Sequence, residues 1–261
     1  MALSPRKRGQ YGRMVQYALL VLAIVLIGAL ADWDTISRAF FDPEIIAAQF
    51  PTVITTALKN TVIYTLLGFV FGLVLGLVLA LMKLSSVGPY RWIANLYIEL
   101  FRGVPALLVF VALGFGVPLA FGTRLGNYTT VMLALGLVGA AYIAETLRAG
   151  IQAVPKGQME AARSLGMSNT RAMISIVIPQ AFRIVLPPLT NELILLTKDS
   201  SLIYLLGLSK GAFELAKYGR DQMNTTANMT PLMVAGLCYL IITVPLGQIV
   251  RRLESRASKA R

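Results

Sequence analysis

Long apolar blocks closed by basic residues run through most of this chain. A helix needs about 20 apolar residues to cross a bilayer core, and six blocks meet that need. The first covers residues 14–31, after Arg6, Lys7, Arg8 and Arg13. The second lies within 52–82, which as a helix measures about 46 Å. That exceeds the bilayer, so the helix tilts or ends in the interface. The third falls between 94 and 120, the fourth between 128 and 153, the fifth over 184–206 and the sixth over 231–250. A polar, basic insert, residues 155–183, separates the fourth from the fifth. The runs are continuous rather than alternating. This predicts helices that satisfy their own backbone in lipid, not a membrane β-barrel. The expected fold is all-α, a polytopic integral membrane helical bundle. Residues 1–13 form a basic N-terminus, 32–51 an outer loop, 52–250 the main membrane domain and 251–261 a basic tail.

Charge gives this bundle an orientation. Only 14% of residues are charged against 56% hydrophobic, and soluble domains carry roughly 25% charged. The net charge of +12 does not imply nucleic acid. The basic residues flank apolar blocks as topology signals and form no patch interleaved with aromatics. Lys and Arg crowd segments 1–13, 83–93, 155–183 and 251–261. The opposite loops hold only Arg38, Lys59, Arg124, Lys210, Lys217 and Arg220. Both termini and the polar insert are therefore expected in the cytoplasm. The start is open to a second reading. A basic stretch, an apolar run and Ala29-Leu30-Ala31 before Asp32 also fit a cleaved secretory signal, although the length of the run favours a retained span.

Several chemistries are excluded. The chain has no histidine, which removes His-based metal sites and general bases. Its single cysteine, Cys238, lies inside the last apolar block and reads as an inert small hydrophobe. Neither GxxxxGK[ST] nor GxGxxG occurs, so the chain has no nucleotide site or cofactor of its own and is not expected to be an enzyme. Gly68, Gly72 and Gly76 share one face of the second block. Such a stripe lets helices approach closely; it reads first as plain packing, with a sliding interface as the alternative.

The insert has the punctuation of a short helical elbow. Pro155 suits a helix start, 157–165 reads as a helix, and Gly166 suits a left-handed stop. Ser168 and Asn169 are cap-type residues. A second short helix, 170–178, is expected to end at Pro179. An amphipathic helix on lipid headgroups would also be polar and basic. The spacing points elsewhere. Glu160-Ala161-Ala162 leads to Gly166, and nine residues separate Gly166 from Ile176-Val177-Ile178-Pro179. This register resembles the EAA loop of bacterial ABC-importer permeases. Tyr142–Gln158, Glu99-Leu100-Phe101-Arg102-Gly103-Val104-Pro105, and Pro187-Pro188-Leu189 with Asn191-Glu192 and Lys198-Asp199-Ser200-Ser201-Leu202 resemble the polar-amino-acid subfamily.

The resemblance implies a type I ABC-importer permease-like fold of five core helices plus one at the N-terminus. It implies that Pro155, Lys156, Glu160, Ala161, Ala162, Leu165, Gly166, Met167 and Pro179 meet a separate ABC ATPase subunit, where ATP and Mg would bind. It further implies a second permease subunit, identical or not, an external solute-binding protein that delivers an amino acid, and a bacterial cytoplasmic membrane.

Charged residues at bilayer depth are functional candidates by default. Glu192, Lys198, Asp199 and Ser200, with Glu99, Arg102 and Pro105, form the candidate translocation path. Glu192 and Asp199 lie seven apart and share a helix face, with Lys198 about 100° away. Glu99–Arg102 and Glu145–Arg148 are spaced to pair along a helix, as structural ion pairs near the inner interface. Pro105, Pro187 and Pro188 would free backbone carbonyls, as broken helices do in transporters. An ion-gradient transporter or channel using Glu192 or Asp199 is the alternative; it would not require the 160–179 register.

Overall fold

The computed structural model describes residues 5–206 and 211–259. Lys210 and the ends of the two basic tails, 1–4 and 260–261, lie outside the described residues. The described residues form helices and turns with no strand. Five helices are long and apolar enough to cross a membrane, and a sixth crossing results if one sharply bent pair counts as a single span.

The first helix, α1 (Pro5–Leu30), exposes its large apolar side chains from Met14 to Leu30. Two short helices follow, α2 (Trp33–Phe40) and α3 (Pro43–Ala48), capped by Asp32 and Asp42. They are tied to the far end of the chain. Asn228 donates to the Arg38 carbonyl at 2.8 Å and the Met229 N–H to the Ala39 carbonyl at 2.9 Å.

The centre of the bundle is a parallel pair. A π-helical turn, Val53–Leu58, leads into α4 (Lys59–Leu84), which packs along α8 (Asn127–Gln152). The glycine stripe explains the closeness. A methyl carbon on Gly72 would lie 3.2 Å from the Gly136 carbonyl oxygen and 3.4 Å from the Ala140 nitrogen. Gly136 keeps the facing surface equally thin, a methyl carbon on it lying 3.1 Å from the Gly68 carbonyl oxygen, and Ala140 and Ala144 are fully buried. Two small-residue faces thus meet backbone to backbone.

The third block is not one straight span. It is α5 (Gly88–Gly103), then α6 (Ala106–Val111), a π turn at Ala112–Gly116 and α7 (Val117–Phe121). The axis turns by 102° between α5 and α6. Pro105 causes this: it disfavours helical backbone at Val104, which is extended at ψ 132°.

The polar insert contains α9 (Lys156–Ser164) and α10 (Asn169–Ala172). Here the expectation of a second helix stopped by Pro179 is corrected. A π turn at Met173–Val177 carries α10 directly into α11 (Ile178–Asp199). The Ile178 N–H reaches back five residues to the Met173 carbonyl, and this wider turn admits Pro179 at the start of α11. The elbow is therefore one surface helix plus the first turns of a span. Pro187 and Pro188 are corrected too: α11 runs through both without a break. Val185 and Leu189 pack on Ile143 and hold the helix together there.

After a 3-10 stretch at Ser200–Leu206, α12 (Leu215–Thr226) lies across the end opposite the elbow, and α13 (Thr230–Lys259) closes the bundle. A small core of Val53, Ala57, Leu215, Tyr218 and Ala235 joins α12 to both flanking helices.

Candidate translocation and coupling sites

The elbow is built from its caps. Pro155 is extended (ψ 130°) and starts α9. At the other end the Gly166 N–H donates to the Arg163 carbonyl at 2.9 Å and the Met167 N–H to the Ala162 carbonyl at 3.2 Å. This is the Schellman pattern, and Gly166 supplies its left-handed residue at φ +84°. The Ser168 hydroxyl accepts from the Arg171 N–H and starts α10. Arg163 then donates to the Asn169 side chain at 2.8 Å, clamping the two arms.

These caps fix which residues face outward. Ala162 is buried, and Met159 packs against Val154, Val177 and Ala181. Pro155, Lys156, Glu160, Ala161, Gly166 and Pro179 are exposed, with Met167 half-buried. Leu165 is 85% exposed. It is a large apolar side chain at the tip of a polar elbow.

Beside the elbow, Glu145 gathers two cations. Arg148 donates through Nη2 at 2.7 Å and Nε at 3.1 Å, and Lys83 of α4 donates to the other carboxylate oxygen. Arg148 also reaches Gln152. The expected Glu145–Arg148 pair is present, but it is part of a network that ties α4 to α8 at their elbow ends. In the sequence Lys83 stood out only as a topology charge at the end of an apolar run.

The bend at Val104–Pro105 opens a cavity of about 450 Å³. Arg102, Gly103, Val104, Pro105 and Ala106 line it from the broken span, Val138, Gly139 and Tyr142 from α8, and Glu192, Leu195, Leu196 and Asp199 from α11. Four of the residues singled out in the sequence, Arg102, Pro105, Glu192 and Asp199, therefore converge from two distant segments. Its size is in the range of small-molecule sites.

Three sequence expectations are corrected at this cavity. Glu99 is exposed and makes no ion pair with Arg102; the Arg102 guanidinium sits 5.5 Å from the Tyr142 ring centre instead. Lys198 is exposed and does not line the cavity, because one residue of rotation turns it off the Glu192–Asp199 face. Ser200 is buried and donates to the Thr197 carbonyl at 2.7 Å, also away from the cavity. Tyr142 was not picked out as a site residue. Its one available signal is its position three residues before Glu145, inside an otherwise apolar helix.

At the opposite end, Glu214 is fully buried and caps α12. It accepts from the Ala216 and Lys217 N–H groups at 2.5 and 2.6 Å and from the Tyr239 hydroxyl at 2.8 Å. Burial outweighs these donors and pushes its carboxyl up to about 7.

An all-helical membrane bundle with a capped polar elbow and a charged cavity in a broken-helix crossing is the architecture of an ABC-importer permease. The chain belongs to the family of binding-protein-dependent transport system inner membrane components, whose model matches residues 68–259. Among its relatives is the probable glutamine ABC transporter permease protein GlnM of Bacillus subtilis, 39% identical over 181 residues, 69% of this chain and 82% of that one. The arginine transport system permease protein ArtQ of the same organism is 36% identical over 199 residues, 76% of this chain and 88% of that one. The crystal structure of an amino acid ABC transporter with histidines superposes with a TM-score of 0.74 at 34% identity, covering 82% of this chain and 98% of that one. The family match begins at Gly68 and so leaves out α1.

Proposed function

We propose that this permease subunit imports an amino acid, driven by ATP hydrolysed in a separate subunit that docks at the elbow. The observation that carries the reading is the elbow itself. It is a rigid, doubly capped turn that presents Lys156, Glu160, Ala161 and an 85% exposed Leu165 to the outside. Nothing among the described residues covers them. Relatives named for glutamine, arginine and cystine share amino acids as their common class, which supports the same class here.

In this reading the elbow, both termini and the basic tail face the cytoplasm. A solute-binding protein meets the α12 end, and a second permease completes the path. ATP and Mg bind to the partner subunits and not to this chain. The cavity between the α5–α6 bend, α8 and α11 is the path, and Glu192, Asp199 and Arg102 are its charged walls. Movement of α9 reaches this path by a short route. Met159 packs beside Ala181 and Ile184, at the start of the helix that carries Glu192. ATP binding in the partner would thus bias two arrangements of α11.

The test is uptake into proteoliposomes holding this permease, its ATPase and its solute-binding protein. Uptake of an amino acid that needs internal or external ATP on the elbow side supports the reading. Uptake by the permease alone under a proton or sodium gradient would instead support an ion-driven transporter.

A further inference from the structure

The start of α12 is held from three sides. The end of α4 remote from the elbow grips its backbone. Asn60 donates to the Gly211 and Phe213 carbonyls at 2.9 Å each, and Tyr64 to the Ala212 carbonyl at 2.8 Å. The Thr61 hydroxyl accepts from the Leu215 N–H at 3.1 Å. The cap of the same helix, Glu214, is fully buried and meets α13 through the Tyr239 hydroxyl at 2.8 Å. Tyr239 also interacts with the side chain of Ser200 at the end of α11, which donates to the Thr197 carbonyl at 2.7 Å. A polar chain therefore runs from α12 through α13 to the last turn of the helix that carries Glu192.

The α4 grip is made of neutral groups. The Glu214 arm is the part that titrates. Among the described residues the ionisable groups acting on it are Tyr64 from α4, Tyr239 from α13 and Lys217 from α12. Tyr64 is engaged with the Ala212 carbonyl, and Lys217 is paired with Asp221 at 2.8 Å. Asp199 of α11 faces the cavity, and Arg220 lies over the ring of Tyr204 from the 3-10 stretch. Of the three groups bonded to the Glu214 carboxyl, two are backbone N–H donors, so only the Tyr239 oxygen can accept from it. When the carboxyl is ionised, Tyr239 donates to it. When it is protonated, it donates to Tyr239, which frees the Tyr239 O–H for the Ser200 oxygen. The proton thus sets the direction of the chain. Burial raises this carboxyl to about 7, so both forms occur near neutral pH.

We propose that Glu214 and Tyr239 are positioning residues that lock α12 to the end of α11, and that the lock holds while Glu214 keeps its proton and loosens when the proton is lost. The proposal rests on the reading of the α12 end as the outer face that a solute-binding protein meets. There α12 presents Arg220, Asp221 and Asn224 to the outside, and the lock carries that contact to the path helix. A carboxylate sealed from water is costly, so the start of α12 opens to hydrate it. Once open, α12 no longer moves with α11.

The experiment uses the permease–ATPase complex in nanodiscs, with its solute-binding protein and a mixture of L-glutamine, L-arginine and L-cystine. Two quantities are read at pH 6 and pH 8. One is amide hydrogen exchange of residues 211–226, corrected for the intrinsic rate. The other is the ratio of ATPase activity with and without the solute-binding protein. In the wild type, opening of this segment is expected to rise about tenfold from pH 6 to pH 8, and the ATPase ratio to fall severalfold. Glu214→Gln, whose amide donates to Tyr239 as the protonated acid does, is expected to hold both readings at their pH 6 values. Tyr239→Phe is expected to lower the ATPase ratio at both pH values without weakening binding of the solute-binding protein. A pH response in Glu214→Gln equal to that of the wild type overturns the role of the proton. A wild-type ATPase ratio in Tyr239→Phe overturns the lock. A solute-binding protein that neither binds nor stimulates the intact wild-type complex at either pH overturns the outer-face reading instead.

Discussion

Gly166 occupies backbone space that other residues enter only at a cost. Its φ of +84° closes the Schellman turn, yet a methyl carbon built there meets nothing within 4 Å. A side chain would strain the turn by about 1–2 kcal/mol without striking the spans. Gly166→Asp is therefore expected to keep a folded, monodisperse permease while losing co-purification of the ATPase subunit. Undiminished recovery of the ATPase would show that the turn is not part of the contact. At this scale the sequence was most legible where chemistry is local. The glycine stop and the Ser168 cap could be read from residue type alone, because the backbone demands them. Arg102 could not be. Its i, i+3 spacing with Glu99 suggested an ion pair, but Tyr142, forty positions on, offers its ring face instead. Spacing along one helix says nothing about a competitor on another.

The helices carry their own tests. Gly72 on α4 faces the backbone of Gly136 and Ala140, which cannot swing aside as a side chain could. Gly72→Leu should separate α4 from α8 and destabilise the bundle by about 3 kcal/mol or more, the upper end for overpacking. Gly28→Leu on α1, where nothing lies within 4 Å, should leave the melting temperature unchanged. Thermal melting in detergent distinguishes the two. The α12 helix hangs on a buried carboxyl. Folding raises Glu214 from 4.5 to about 7, so between these values the folded protein keeps a proton that the unfolded chain has released. Stability is full below pH 4.5 and falls as pH rises through 7, by roughly 3 kcal/mol in all. Melting temperatures at pH 5 and pH 8 should show this fall in the wild type, and a smaller fall in Glu214→Ala. Proline was the least transparent element signal. Pro105 breaks a span because Val104 is free to extend, whereas Pro187 and Pro188 lie where α11 is gripped by Ile143, and packing overrides them. Pro179 is absorbed by a π turn that no periodicity announces.

For the molecule as a whole, the apolar blocks foretold the order of the long helices because lipid leaves the backbone no alternative to them, although the third block is a pair bent by 102° and not one straight span. What they could not show was convergence. Arg102 and Asp199 are distant in sequence, and only the 102° bend between α5 and α6 and the close α4–α8 pair bring their helices to one cavity. The α11 helix runs from the elbow, where Ala181 packs with Val177 beside Met159, to the cavity, which Glu192 lines. Energy from a partner can reach the path only if the elbow is on the cytoplasmic face and open to that partner. The most direct measurement is labelling of Leu165→Cys, in a Cys238→Ala background, with a membrane-impermeant maleimide. The account predicts labelling in inside-out vesicles, none in intact cells with the outer face accessible, and protection when the ATPase subunit is co-expressed. Labelling from outside, or an equal rate with and without the ATPase, would contradict it.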